Sequence, residues 1–250
     1  MSRPFSVLIG LGLVSVAAQA AVGTAPFVPD RAHYRRCLAD SSNNPAIALA
    51  DAENWIKAGG GVPAEHCAAL SLVGLKRYPE AGARLDRIAS GRAALDVQFR
   101  IALYDQAGNA WLLAGEGAKA VQSLTGALTL SAGDPDLFTD MARAQAMVRN
   151  WHEVVLDLNA ALQLSPRRAD LLVLRASARR ALKQFAEARA DIDNALKLRP
   201  GDSDALVESG LLRKQLGDLG GARRDFQAAL KGDSAETAAE AREHLDALKP

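Results

Sequence analysis

The chain has 250 residues, 49% of them hydrophobic and only 5% aromatic, with 30 basic and 29 acidic side chains. That much apolar material excludes a disordered chain, which would have too little to bury. A net charge of +1 argues against electrostatic capture of nucleic acid or of an anionic membrane.

Residues 1–20 read as a secretory signal peptide. Arg3 supplies a positive start, Phe5 to Ala17 is apolar or small, and Ala18-Gln19-Ala20 is a small-x-small cleavage site. The apolar run is shorter than the roughly 18–20 residues that span a bilayer, although an uncleaved N-terminal anchor is the rival reading. No cysteine follows the cleavage point, which disfavours a lipid anchor. Removal of 1–20 takes away one arginine and no acid, leaving 29 bases and 29 acids. Residues 21–29, with Pro26 and Pro29, are expected to be a disordered lead-in. Residues 30–61 are expected to form a degenerate helical hairpin. One helix contains Tyr34, Cys37 and Leu38, a turn falls at Ser41–Asn44, and a second helix runs from Pro45 to Lys57. Gly59-Gly60-Gly61 then ends it, since glycine accepts the left-handed backbone found past helix ends.

From residue 101 the chain repeats. Ala127-Leu128, Ala161-Leu162, Ala195-Leu196 and Ala229-Leu230 stand 34 residues apart, defining units 101–134, 135–168, 169–202 and 203–236. Position 8 of each unit holds Gly108, Ala142, Ala176 and Gly210. Position 20 holds Ala120, Val154, Ala188 and Ala222, and position 24 holds Leu124, Leu158, Ile192 and Phe226. Position 32 holds Ala132, Pro166, Pro200 and Ser234. The pattern resembles the tetratricopeptide repeat family, which has small residues at 8, 20 and 27, a bulky one at 24 and proline at 32. The resemblance implies an all-α fold: a right-handed superhelical solenoid of antiparallel helix hairpins with a C-terminal capping helix. Small residues at 8 and 20 let paired helices approach closely, and the bulky residue fills the adjacent space. Asp134 and Asp202 are placed to cap the helices after them.

Residues 62–100 resemble a further, imperfect repeat, with Ala69, Ala81 and Leu85 at positions 8, 20 and 24 and about five extra residues within 91–100. Residues 235–250 form the cap, with Ala238, Ala241, Leu245 and Leu248 on one face. Cys37 and Cys67 then fall in first helices of adjacent hairpins. In an oxidising compartment they would form a disulfide, closing a loop worth about 3–4 kcal/mol on the chain-entropy model. Free buried thiols are one alternative. A zinc site with His33 and His66 is another, disfavoured because His66 and Cys67 diverge by about 100° on a helix.

Position 11 holds Trp111, Gln145, Arg179 and Arg213, and position 23 holds Asp157, Asp191 and Asp225 in the later units. Arginine from first helices is expected to pair with aspartate from second helices as a ladder, ahead of any catalytic or ligand role. The sequence has no Gly-x-Ser-x-Gly elbow, phosphate loop or His-Glu-x-x-His, so it reads as non-enzymatic and without cofactor. The resemblance implies binding of another protein or an extended peptide in a concave groove lined at positions 2, 5, 9 and 12. Carried over, the lining is Asp105, Asn109, Leu112, Asp136, Thr139, Arg143, Asp170, Val173, Ser177, Arg180, Asp204, Val207, Leu211 and Lys214. Ordinary solvated helix faces are the alternative. The family's clamp for peptide C-terminal carboxylates is matched only by Asn109, because Asp105, Asp140, Asp170 and Leu174 occupy its other places. The resulting expectation is an exported, periplasmic adaptor of the cell envelope. The alternative is a structural subunit of an envelope assembly, held by its convex face or edges.

Overall fold

In this computed structural model the described residues are 31–91, 94–131, 133–232 and 234–248. The signal segment, the lead-in and Ala132 of the position-32 column lie outside them. The described residues form thirteen helices and divide into two compact units, one ending at Gly133 and one beginning at Asp134.

The first unit holds α1 (Arg31–Asn43), α2 (Pro45–Lys57), α3 (Gly61–Gly74), α4 (Tyr78–Ser90), α5 (Val97–Leu113) and α6 (Gly117–Leu130). The second holds α7 (Pro135–Met147), α8 (Trp151–Leu164), α9 (Ala169–Ala181), α10 (Phe185–Leu198), α11 (Ser203–Gln215), α12 (Leu219–Ala229) and α13 (Ala235–Asp246). Within each unit, consecutive helices pair as antiparallel hairpins. The extra residues before 101 lengthen α5, which starts at Val97. Asp96 caps it by accepting from the N–H groups of Gln98 (2.9 Å) and Phe99 (3.3 Å).

Local chemistry sets the ends of the helices. Asp134 accepts from the Asp136 N–H at 2.8 Å, and Asp202 from the Ala205 N–H at 3.0 Å, as their positions required. Asp218 and Ser234 cap α12 and α13 in the same way. α8 and α10 stop before Pro166 and Pro200, which cannot continue a helix. Every hairpin from α3 onward turns through one left-handed residue at position 15: Lys76, Gly115, Arg149, Lys183 and Gly217. Three of these carry a side chain, at a steric cost of roughly 1–2 kcal/mol, partly offset by a cation beside a helix C-terminus.

The small columns form the contact surfaces between helices. Ala127, Ala161, Ala195 and Ala229 are buried, as are Ala120, Val154, Ala188 and Ala222. Leu124, Leu158, Ile192 and Phe226 fill the space opposite. At Gly210 an added Cβ would stand 2.5 Å from the Phe226 ring, and at Gly108 one would stand 2.5 Å from Leu124 Cγ. The buried ring is enclosed by Val207, Ala222, Ala229 and Ala241 and has no room to move aside.

Gly210→Ala therefore discriminates between helix propensity and packing. Propensity alone would raise stability by about 1 kcal/mol. The clash predicts a loss of about 1–3 kcal/mol instead, measured by urea denaturation at constant m-value. A stabilised variant would refute the tight-approach explanation.

Candidate functional site

The first helices of the hairpins carry the candidate lining residues, and the structure sorts these into three groups. Thr139, Val173 and Val207, all at position 5, are buried at 2%, 7% and 0% relative exposure. Thr139 turns its hydroxyl onto the Pro135 carbonyl at 2.8 Å. Val173 packs in the core formed with α8, and Val207 is enclosed by α12 and α13. These three do not line an open surface here, because each first helix sits deeply enough against its neighbours to take position 5 into the interior.

A second group is engaged in polar pairs. Asn109 Nδ2 donates to the Asp105 carbonyl (3.2 Å) and carboxylate (3.1 Å), so α5 bonds to itself. Arg143 pairs with Asp140 at 2.7 Å. Arg168 bridges Asp136 (2.9 Å) and Asp170 (2.7 Å), and Thr237 of α13 donates to Asp204 at 2.6 Å. Arg180 of α9 grips both oxygens of Glu208 of α11, at 2.5 and 3.2 Å. Burial pushes the Glu208 carboxyl up, while Arg180 and Ser177 oppose that shift.

The third group remains accessible. Leu112, Ser177, Leu211 and Lys214 are part-exposed. Lys214 forms no ion pair among the described residues. These four occupy positions 9 and 12.

The arginine–aspartate ladder forms within hairpins. Buried Asp191 accepts from Arg175 Nε (2.9 Å) and Nη2 (2.6 Å) and from Arg179 Nη1 (2.6 Å). Asp225 accepts from Ser209 (2.7 Å) and pairs with Arg213 (2.8 Å). The corresponding rung at Asp157 lacks an arginine, since Met141 and Gln145 stand at positions 7 and 11 of that unit. Its Oδ2 is buried without a hydrogen-bond partner. Burial, with Glu153 nearby, pushes its pKa up to about 7. In repeat 101–134 Ser123 stands at position 23, and the contact runs instead to Asp86 of α4, in the preceding hairpin, from Trp111. Its indole N–H donates to Asp86 at 2.7 Å, and Ser123 donates to the other oxygen at 2.7 Å.

The first unit also contains a polar chain that the sequence did not announce. His66 of α3 lies between the Tyr34 hydroxyl of α1, within hydrogen-bond distance of Nδ1, and Gln106 Oε1 of α5, 2.7 Å from Nε2. A carbonyl oxygen only accepts, so Nε2 carries the ring proton and Nδ1 accepts from Tyr34. Phe99 packs edge-on against the ring at 5.3 Å. Burial drives His66 down to about 4, with Gln106 opposing, and pushes the Tyr34 phenol up. His66 stands at position 5 of the imperfect repeat, the one sequence signal that could have found it. Cys37 and Cys67 are disulfide-bonded, with Cα atoms 6.0 Å apart. The four side chains of the alternative zinc site are thus engaged elsewhere: the sulfurs with each other, His66 as above, and His33 with Asp51 at 2.5 Å.

No family model matches the sequence, and no curated protein matches it at a significant level. Solved structures do match. A crystal structure of MamA superposes with TM-score 0.57 at 15% identity, covering 70% of this chain and 96% of that one. MamA from Desulfovibrio magneticus RS-1, residue 41 to the end, gives 0.57 at 17%, covering 66% and 93%. YrrB, described as a TPR protein with an unusual peptide-binding site, gives 0.55 at 17%, covering 73% and 91%. The chain has the tetratricopeptide-repeat fold. Identities this low establish the fold and nothing finer.

Two buried groups make stability depend on pH. The pKa of Asp157 is raised in the folded protein, so its contribution is complete at low pH and is lost as pH rises from about 4 towards 7. Asp157→Asn should raise the melting temperature at pH 8, raise it less at pH 5 and leave it nearly unchanged at pH 3, and an equal shift at pH 8 and pH 3 would contradict the missing rung. His66 has a lowered pKa, so its contribution is complete above about 6.5 and falls away towards 4, by about 3 kcal/mol. His66→Gln should flatten the stability loss between pH 7 and pH 4, and parallel curves would show that the ring does not titrate as described.

Proposed function

We propose that this chain is a non-enzymatic adaptor that captures another protein or an extended peptide along the first-helix faces of its hairpins. The observation that carries this reading is the repeated presentation of accessible side chains at positions 9 and 12, namely Leu112, Ser177, Leu211 and Lys214. They mix apolar area with hydrogen-bonding groups, as peptide-binding helix surfaces require. The peptide-binding site named for YrrB, which shares the fold, supports the same reading.

We further propose that the protein is exported and acts in the cell envelope, in the periplasm. The signal-like residues 1–20 and the Cys37–Cys67 bond both support this placement, since paired cysteines persist as disulfides in oxidising compartments. Net charge near zero suits a protein partner better than a polyanion.

The test is photo-crosslinking in the native host. Probes at Ser177 and Lys214 sample the proposed face, and probes at the exposed residues Gln163 of α8 and Arg224 of α12 sample second helices. Adducts confined to Ser177 and Lys214 are expected. Adducts confined to Gln163 and Arg224 would replace this reading with a scaffold held through its second helices. Substituting Val207 would not serve, because that side chain is part of the core.

A further inference from the structure

α1 is held differently from first helices of the regular repeats such as α9 and α11. In the hairpins α9–α10 and α11–α12 the two helices pack mainly on each other. α1 instead packs more on α3 than on α2, its own sequence partner. It buries only Cys37 and Ser41. The cluster around the sulfurs consists of Ala48, Ala52 and Ala68, with Leu49 and Ile56 part-buried at its edge. Alanines bury little apolar area, so packing holds this helix weakly.

The helix is also poorly favoured on its own. It has 13 residues, a length that is marginal in water. No acid occupies its first turn and no base its last, while Arg31, Arg35 and Arg36 crowd the half nearest the positive end of the helix dipole. Besides the disulfide, α1 is tied by His33 to Asp51, by His33 stacked on Trp55 at 4.3 Å, and by Tyr34 to His66. The exposed His33–Asp51 tie contributes little, and the bond from Tyr34 to buried His66 is the polar contact among these that resists release of α1.

We propose that the Cys37–Cys67 bond is a redox latch: it docks α1 across α3, and its reduction by a dithiol frees α1 while α3 to α6 stay folded. In the exchange, one thiolate of the dithiol attacks a protein sulfur, forming a mixed disulfide and expelling the other cysteine as thiolate. The second thiol of the reductant closes onto the first, expelling the remaining cysteine. Both protein sulfurs end as thiols, and the dithiol, having given two electrons, ends as a cyclic disulfide. Cys37 and Cys67 are 2% and 0% exposed, so the reductant reaches the bond during brief excursions of the still-tethered α1. Release removes Tyr34 from Nδ1 of His66 and uncovers position 5 of the α3 face. Any effect on partner capture rests on the function proposed above, whereas the docking of α1 does not.

The test is amide hydrogen exchange on the full chain in three forms: oxidised, reduced with dithiothreitol, and Cys37→Ser/Cys67→Ser. Loss of the cross-link should lower protection of α1 amides by about 100- to 1000-fold. Protection in α3 to α6 should hold, and His66 should become reactive to diethyl pyrocarbonate. If α1 amides stay protected without the bond, packing holds the helix and the latch is refuted. It is equally refuted if α1 to α6 lose protection together. Crosslinking from Asn109, scored on the oxidised and reduced forms, tests partner capture separately.

Discussion

Close approach of the two helices in each hairpin is the constraint on which the rest of the structure depends. Interaxial distance is set by the side chains at the contact, and here those are glycine or alanine at position 8 and mostly alanine at positions 20 and 27. With the helices drawn together, one larger side chain per hairpin fills the remaining space. Where that residue is Phe226, the facing position has lost even its Cβ. Repetition then adds neighbour contacts rather than a central core, so within each unit one hairpin leans on the next.

The same lattice determines where charge can sit. Position 23 faces the helix partner closely enough that a carboxylate there is partly or wholly desolvated, and its neighbours at positions 7 and 11 decide whether it is compensated. With Arg175 and Arg179, Asp191 is fully satisfied. With Ser209 and Arg213, Asp225 is satisfied more loosely. With Met141 and Gln145, Asp157 keeps a buried oxygen with no partner. One aspartate column thus gives three electrostatic outcomes, because the energy belongs to the set of contacts and not to the residue.

What was legible in the sequence was whatever a single column encodes. The small and bulky positions, the aspartate caps and the prolines beyond α8 and α10 act through their nearest neighbours, so spacing alone located them. The depth of one helix against the next is a different kind of quantity. Position 5 looks like a surface column, yet Val207 is closed over by α12 and α13, and Thr139 bonds to its own helix. The Tyr34–His66–Gln106 chain was hidden for a related reason. It joins three helices from an irregular hairpin, a degenerate repeat and a regular one, and no shared spacing connects them.

These placements narrow the chemistry available to a partner. Most charges on the first-helix faces are already committed: Arg180 to Glu208, Arg168 to Asp136 and Asp170, Arg143 to Asp140. Pulling Arg180 away would strand a carboxylate that is only 1% exposed, at a cost of several kcal/mol that a single new ion pair would not repay. A ligand therefore gains more by leaving that pair intact and engaging what lies beside it. On α9 and α11 that means the Ser177 hydroxyl, the Leu211 side chain and the Lys214 ammonium. With the Ser177 proton directed to Glu208, an extended backbone offers an N–H to the serine oxygen, a carbonyl to the ammonium and a side chain to the leucine, so it engages all three without disturbing the buried pair.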